Sequence, residues 1–414
     1  MPEPPPPPVS LVLLPSVTLP SSHDSFEAAY GSALTSAIAD TSSMLNRSSK
    51  AAILEIAVVC SHLHPEREGP REQIYDLTQN LLAGLYRLVC LICARDGVEV
   101  EGQGGVDARV LLVNAKSSPH TTLSPKEFQQ GPVINLGTLA ASKRLWTVIF
   151  SMDSEAGNLL WETFATATTA ADATLPNRKT VGAETDQALS EGVERVPLEL
   201  GVNQHRHRSV AVGGTFDHLH AGHKLLLTMT AFLLEPSNDG EGKERCLTIG
   251  ISGDELLKSK QFRTFLGSWE ERQAEVSEFM QSILDFRDRS EVFKAPEKTL
   301  SGSGERTVSA ELPHGLVLQY VELSDPYGPT VTDESISALV ISAETRSGGS
   351  AINSKRQEKG FRALKVYEVD VLNARGDNAG KDDGTAEESF DSKISSTQIR
   401  RRMAEKNASQ TAAG

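Results

Sequence analysis

Apolar and polar positions alternate along this chain in two successive programmes, each mixing strand-length apolar runs with helix-length stripes. In the first, Ser10 to Val17, Ala51 to Leu63, Arg109 to Asn114 and Arg144 to Met152 read as buried strands. Between and after them Ser25 to Asp40, Arg71 to Arg95 and Glu155 to Ala170 carry helical periodicity, so residues 10–170 are expected to form a small α/β domain. The proline run Pro4 to Pro8 makes residues 1–9 a disordered tail. From Ala171 to Gln204 the chain is mildly acidic and rich in Thr and Ala, with Pro176 and Pro197 breaking any period, which predicts a linker over 171–207.

The second programme opens at residue 208. Strands are predicted at Ser209 to Gly213, Cys246 to Ile251, Val317 to Leu323, Ala338 to Ser342 and Leu364 to Val369, and helices at Gly222 to Leu234, Ser268 to Arg287 and Thr397 to Glu405. The helix from Ser268 is well signalled, because Ser268 and Glu271 have capping-box spacing and Val276, Phe279, Met280, Ile283 and Leu284 recur on one face. Strands alternating with helices predict an open parallel sheet whose ligands lie beyond the carboxyl ends of its strands. Pro296 to Pro313 and Asn373 to Ser392, rich in Gly, Ser and charge, read as flexible insertions.

Composition narrows what such a chain does. Hydrophobic residues make up 39%, charged residues 23%, and the formal net charge is -14. This acidity excludes a broad electrostatic grip on nucleic acid or an anionic membrane, so any phosphate site is local. Four scattered cysteines, Cys60, Cys90, Cys93 and Cys246, are no disulfide framework in a chain of 414 residues and fit the reducing cytosol. Cys90 and Cys93 form a CxxC pair inside an apolar helical run and read as core thiols. His62 and His64 flank a leucine at a strand end and read as turn or surface histidines. Nothing in the first 170 residues forms a catalytic constellation. The N-terminus has no basic n-region, and the apolar run around Leu81 is interrupted by Arg87, so neither export nor a membrane span is expected; the cytoplasm is the expected compartment, with the nucleus as its alternative.

The chemistry concentrates after residue 208. Val210-Ala211-Val212-Gly213-Gly214-Thr215-Phe216-Asp217-His218-Leu219-His220-Ala221-Gly222-His223 is a strand, a glycine turn and two histidines at a helix start. Glycines let the backbone approach a ligand, and the free amides of the helix start attract an anion. His220 and His223 are three apart with Gly222 between them, so both imidazoles can face one anionic group. A dinucleotide turn or a zinc pair is the competing reading, but GxGxxG is absent and no third ligand stands beside the pair. Near the other end, Ile394-Ser395-Ser396-Thr397-Gln398-Ile399-Arg400 places three hydroxyls at a helix start and an arginine one turn on; in isolation such a cluster is a helix cap.

HxGH after a GGTFD turn, followed far downstream by the serine cluster, resembles the nucleotidyltransferase superfamily that includes the class I aminoacyl-tRNA synthetases. Asp325-Pro326-Tyr327-Gly328-Pro329-Thr330, together with Ser342-Ala343-Glu344-Thr345-Arg346-Ser347-Gly348-Gly349 running on to Arg356, is similar to the eukaryotic phosphopantetheine adenylyltransferases. The resemblance covers about Ser209 to Met403 and implies a Rossmann-like nucleotidyltransferase domain over 208–408. It implies transfer of AMP from ATP to 4′-phosphopantetheine in coenzyme A biosynthesis. His223, His220 and Lys258 or Lys260 would carry catalysis. Gly213, Gly214, Thr215, Phe216, Gly222, Asp325, Tyr327, Glu344, Thr345, Arg356, Ser395, Ser396, Thr397 and Arg400 would bind the substrates. Mg²⁺ would arrive with ATP, since no carboxylate cluster prepares a protein-built metal cage. No GxxxxGK[ST] loop of the kinase unit found in animal bifunctional coenzyme A synthases is present, so the expected layout is the fungal monofunctional one. The first domain would then be the extra domain of eukaryotic members, expected to dock other enzymes of the pathway. A cytidylyltransferase, a nicotinamide-nucleotide adenylyltransferase and an inactive scaffold remain the alternatives.

Overall fold

The computed structural model describes residues 6–44, 50–63, 69–114 except 101 and 103, 130–182, 206–236, 244–287, 298–302, 305–372 except 371, and 395–413. Two α/β sheets fill it. The first is a 6-stranded sheet of order β4-β3-β2-β1-β5-β6, built from β1 (Val9–Leu14), β2 (Ala52–Cys60), β3 (Val106–Asn114), β4 (Val133–Ile134), β5 (Trp146–Asp153) and β6 (Asn177–Gly182). Every pairing in it is parallel. Its central strands are buried on both faces, as continuous runs such as SLVLL and AILEIAV require, and α1 (His23–Ser43), α2 (Tyr75–Arg95), α3 (Leu136–Ala141) and α4 (Glu155–Ala170) cover it. Cys90 and Cys93 are buried core thiols on α2, as their apolar setting predicts.

The second is a 7-stranded sheet of order β13-β12-β7-β8-β11-β10-β9. Its strands are β7 (Ser209–Gly214), β8 (Arg245–Ser252), β9 (Lys298–Gly302), β10 (Glu305–Leu312), β11 (Leu316–Leu323), β12 (Ala338–Ser342) and β13 (Lys365–Val369). Five of them, β13-β12-β7-β8-β11, run parallel, and β9 and β10 are added antiparallel at one edge. Helices α5 (Ala221–Leu233), α6 (Trp269–Leu284), α7 (Arg346–Glu358) and α8 (Ser396–Ala413) complete the unit. The capping box at Ser268 and Glu271 forms with both bonds in place.

Two expectations are corrected. The linker expected over 171–207 contains β6, which pairs in parallel with β5 from Val148↔Asn177 onward. Its sequence NRKTVG is exposed except at Val181, so no apolar alternation marks this edge strand. Likewise the insertion expected from Pro296 to Pro313 holds the hairpin of β9, a polar strand at the sheet edge, and β10, whose Val308, Ala310 and Leu312 alternate with polar residues and are buried. The insertion expected at Asn373 to Ser392 lies outside the described residues.

The two sheets share one core. A single cluster of buried side chains runs from Leu11 and Tyr86 in the first half to Leu227, Phe279 and Tyr320 in the second. Polar contacts seal the join: Arg144, paired with the buried Glu55, also donates to Ser282 O at 2.6 Å and Asp285 O at 3.2 Å, the free carbonyls at the end of α6. Gly131 closes on the same helix end, where a Cβ would fall 1.8 Å from Ile283 O.

Candidate active site

Because β7 is parallel to both β12 and β8, and β8 to β11, the carboxyl ends of these four strands open onto one edge of the sheet. Chain order reverses between β7 and β12, so this edge holds the switch point where an open sheet takes its ligand. The turn after β7 is forced into an unusual path there. Phe216 and His218 both have left-handed backbones, with φ of 50° and 51°. Gly214 is required by that path, because a Cβ would lie 2.9 Å from the Phe216 ring.

The turn delivers two imidazoles to the first turn of α5. The rings of His220 and His223 stack with centroids 3.9 Å apart and planes inclined by 20°. Gly222 makes the stack fit, since a Cβ there would come 3.2 Å from the His220 ring. Both Nδ1 atoms are buried without a hydrogen-bond partner among the described residues. Burial lowers the pKa of His223 to about 4, against the opposing pull of the His218 backbone and the Asp217 carboxylate. Burial, then His223 and Lys224, push His220 well below its ordinary value. Near neutral pH the pair is therefore uncharged, and at the positive end of a helix it is ready to meet an anion.

Asp217 holds this site together. It is 1% exposed, and its carboxylate accepts from Arg400 Nη1 and from Gly267 N at 3.2 Å, while its carbonyl accepts from Ser396 Oγ at 2.8 Å. The serine cluster and the glycine turn, 179 residues apart, are thus joined directly. Arg400 was expected to contact a phosphate, but its guanidinium is 2% exposed and committed to Asp217, to Gln261 O at 3.1 Å and to Thr397 Oγ1 at 3.2 Å. It fixes the glycine turn through Asp217 and does not point into the opening at the sheet edge. Ser395 precedes α8 and Ser396 and Thr397 open it, so the helix start itself lies beside the turn.

Arg356 is corrected more sharply. Its side chain is fully buried and donates to Thr330 O, Asp333 O, Glu334 O, Ile336 O and Arg362 O, which leaves no donor for a substrate. Phe216 is also fully buried, its ring 5.4 Å from that of His223, so it supports the imidazole and offers no side-chain contact to a ligand. Gly213 is exposed, and a Cβ there would meet only Leu323 at 3.7 Å.

The remaining expected residues sit on the same edge. Asp325 follows β11 and accepts from Tyr327 N at 2.6 Å and Gly328 N at 2.9 Å, shaping the turn. Tyr327 is half-buried, with the Lys355 ammonium 4.7 Å over its ring. Glu344 and Thr345 follow β12 and are exposed. Lys258 and Lys260 follow β8 and are both exposed, Lys258 being paired with Glu255; Gln261, next to Lys260, is tied to Arg400.

Sequence reasoning missed Arg272. It is fully buried on α6 and donates to Gly267 O at 3.0 Å, Thr215 O at 2.7 Å and Ser252 O at 2.8 Å, so it holds the residue expected to bind the acceptor phosphate. The signal was available, because Arg272 interrupts the apolar stripe running from Trp269 to Val276 and Phe279.

Comparison with known proteins agrees with this geometry. Residues 211–402 match the Cytidylyltransferase-like family, and residues 1–188 match a domain of unknown function. An uncharacterized protein of Schizosaccharomyces pombe is 34% identical over 194 residues, 47% of this chain and 48% of that protein. The phosphopantetheine adenylyltransferase of Saccharomyces cerevisiae is 32% identical over 191 residues, 46% of this chain and 47% of its own. The matched segment thus spans about half the length of these two fungal relatives. The phosphopantetheine adenylyltransferase of Methanothermobacter thermautotrophicus is 32% identical over 193 residues, which is 46% of this chain but 82% of that enzyme. With the glycine turn, the stacked histidines and the serine helix assembled on one sheet edge, the chain belongs to the phosphopantetheine adenylyltransferase family of nucleotidyltransferases.

Proposed function

We propose that this protein transfers AMP from ATP to 4′-phosphopantetheine, giving dephospho-coenzyme A and pyrophosphate. The observation that carries the reading is the stacked pair His220 and His223, neutral and with unpartnered Nδ1 atoms, at the start of α5 beside the glycine turn. The family relation supports the choice of substrates.

In this reading a phosphate oxygen of phosphopantetheine attacks the α-phosphorus of ATP in line. A new P–O–P bond forms, the bond to the β-phosphate oxygen breaks, and pyrophosphate leaves with the electron pair. The protein contributes position and charge, with no covalent intermediate. His223 and His220 donate hydrogen bonds to the phosphate oxygens on which charge grows. Thr215, held by Arg272, takes the acceptor phosphate. The start of α8 and the exposed lysine, Lys258 or Lys260, take the outer phosphates. Mg²⁺ is assigned to the ATP phosphates as part of the substrate, as hard cations bind phosphate oxygens.

The test is pyrophosphate release by the full-length protein with Mg-ATP and 4′-phosphopantetheine, beside CTP and nicotinamide mononucleotide controls. Release that needs both proposed substrates, and that falls about 10²- to 10³-fold in His223→Ala, supports the reading. Turnover only with another pair would overturn the substrate assignment, and none with any pair would make the domain a scaffold. Docking of other pathway enzymes onto the first half is a separate proposal, which retention of those enzymes on the immobilised full-length protein would test.

A further inference from the structure

Helix α5 carries both histidines in or beside its first turn and is covered from two sides. Lys224 is buried, and so is every residue from Leu225 to Leu233, a stretch of Leu, Met, Phe, Ala and Thr without a charged side. A helix covering one sheet keeps a polar face toward water, whereas one apolar on all sides needs a second partner. The first half supplies it: α5 packs along α2 as well as on β7 and β12.

Two cations from this join hold the ends of the helix. Lys224, the residue after His223, pairs with Asp107 of β3 and donates to Ala108 O at 3.1 Å. Asp107 is in turn held by Arg109 at 2.6 Å, and Arg109 reaches Glu278 of α6 at 2.9 Å. At the far end the Arg71 guanidinium donates to Phe232 O at 3.2 Å and Leu234 O at 3.0 Å, satisfying carbonyls that the helix leaves free. A strand of the first half therefore holds the residue next to His223, and that half closes the opposite end of the same helix.

We propose that Asp107 is a positioning residue for the transfer reaction: by holding Lys224 it sets where His220 and His223 stand, making the first half of the chain part of the active-site frame. The inference rests on the transferase reading for its kinetic consequences but not for its structural ones. The titratable and charged groups acting on the two imidazoles are each other, His218 and Asp217 of the turn, and Lys224 on the helix itself. Asp107 is the carboxylate that neutralises Lys224. Burial pushes its carboxyl up, and Arg109 with Lys224 overcomes this and brings it down to about 2, so it is ionised throughout the working range.

The experiment uses full-length Asp107→Asn, Lys224→Met and the double variant, with Lys179→Ala as a control that breaks only the exposed pair with Asp40. Initial rates, hydrogen–deuterium exchange of α5 and thermal unfolding are measured on each. Asp107→Asn is expected to lower kcat by ~10- to 100-fold with little change in KM, as a small displacement of a catalytic group does. It is also expected to speed amide exchange in α5 while leaving β12 and β13 protected. The double variant, which removes the buried cation along with its partner, regains much of both. Lys224→Met leaves Asp107 paired with Arg109 and keeps the question open to test should Asp107→Asn fold poorly; it too is expected to lower kcat and loosen α5. Folded Asp107→Asn or Lys224→Met protein with wild-type kcat and wild-type α5 exchange would overturn the proposal. If the wild type releases no pyrophosphate, the transferase reading fails alone, and the exchange of α5 still decides whether Asp107 holds the helix.

Discussion

His220 and His223 face each other ring to ring at 3.9 Å, a separation at which two imidazolium cations would repel strongly. Burial keeps both rings neutral, and for His220 the neighbouring His223 adds to it. In the proposed reaction a substrate phosphate would compensate charge on these rings, so binding and proton uptake are expected to be coupled at this pair.

The coupling has a stability signature. The folded-state pKa of His223 is about 4, below the ordinary 6.5. Between these values the unfolded chain binds more protons than the folded one, so stability falls as pH drops from 6.5 to 4 and is independent of this group above 6.5. Urea midpoints measured from pH 7.5 to 5 are expected to decline for the ligand-free wild type and to decline less for His223→Asn.

Gly222→Ala separates rate from stability. Alanine is the better helix former by ~1 kcal/mol, so thermal stability is expected to hold or rise slightly. The added Cβ meets the His220 ring at 3.2 Å and displaces it from the stack, so the rate of pyrophosphate release is expected to drop by ~10-fold or more. Equal rates in the two proteins would show that the stack plays no part in turnover.

Arg400 and Asp217 form a buried pair, and removing either partner leaves the other charged without compensation. Arg400→Ala and Asp217→Asn are each expected to cost about 3–5 kcal/mol in chemical denaturation. Their effects should be strongly non-additive in a double-mutant cycle, because both remove the same contact. Additive costs would mean that the two residues act separately.

Arg356→Leu tests the correction made to its role. Five carbonyls lose their donor, so the melting temperature is expected to fall markedly. The KM for either substrate, measured on the folded fraction at low temperature, should stay unchanged. A raised KM with unchanged melting would return Arg356 to the binding site.

Local pattern carried much of this protein into view. Hydrophobic period located β1, β2, β7, β11 and α6 to within a few residues, because each is a continuous apolar run or a capped stripe whose neighbours in sequence are its neighbours in space. The glycine turn and HxGH were legible for the same reason: Gly214 acts on Phe216, and Gly222 on the two histidines, all within the ten residues 214–223. The polar edge strands β6 and β9 were not legible. β6 and β9 have little or no apolar alternation and become strands because a neighbouring strand offers its unpaired backbone groups, whereas in β10 the short alternation of Val308, Ala310 and Leu312 was hidden among Gly, Ser and charge.

What tertiary structure alone decided is where the cations go. Arg356, Arg400 and Arg272 all lie near motif residues, and a sequence cannot say whether a guanidinium faces a phosphate or a ring of carbonyls, since both satisfy the same five donors. The fold sends all three inward, Arg356 to backbone carbonyls, Arg400 to Asp217 and Arg272 to the turn that carries Thr215. It also brings Asp107 to Lys224 across 117 residues, a pairing that no local period encodes. Sequence determined which chemistry is present; packing of the two sheets into one core determined which charges remain to perform it, because a buried charge must find its partner inside the protein.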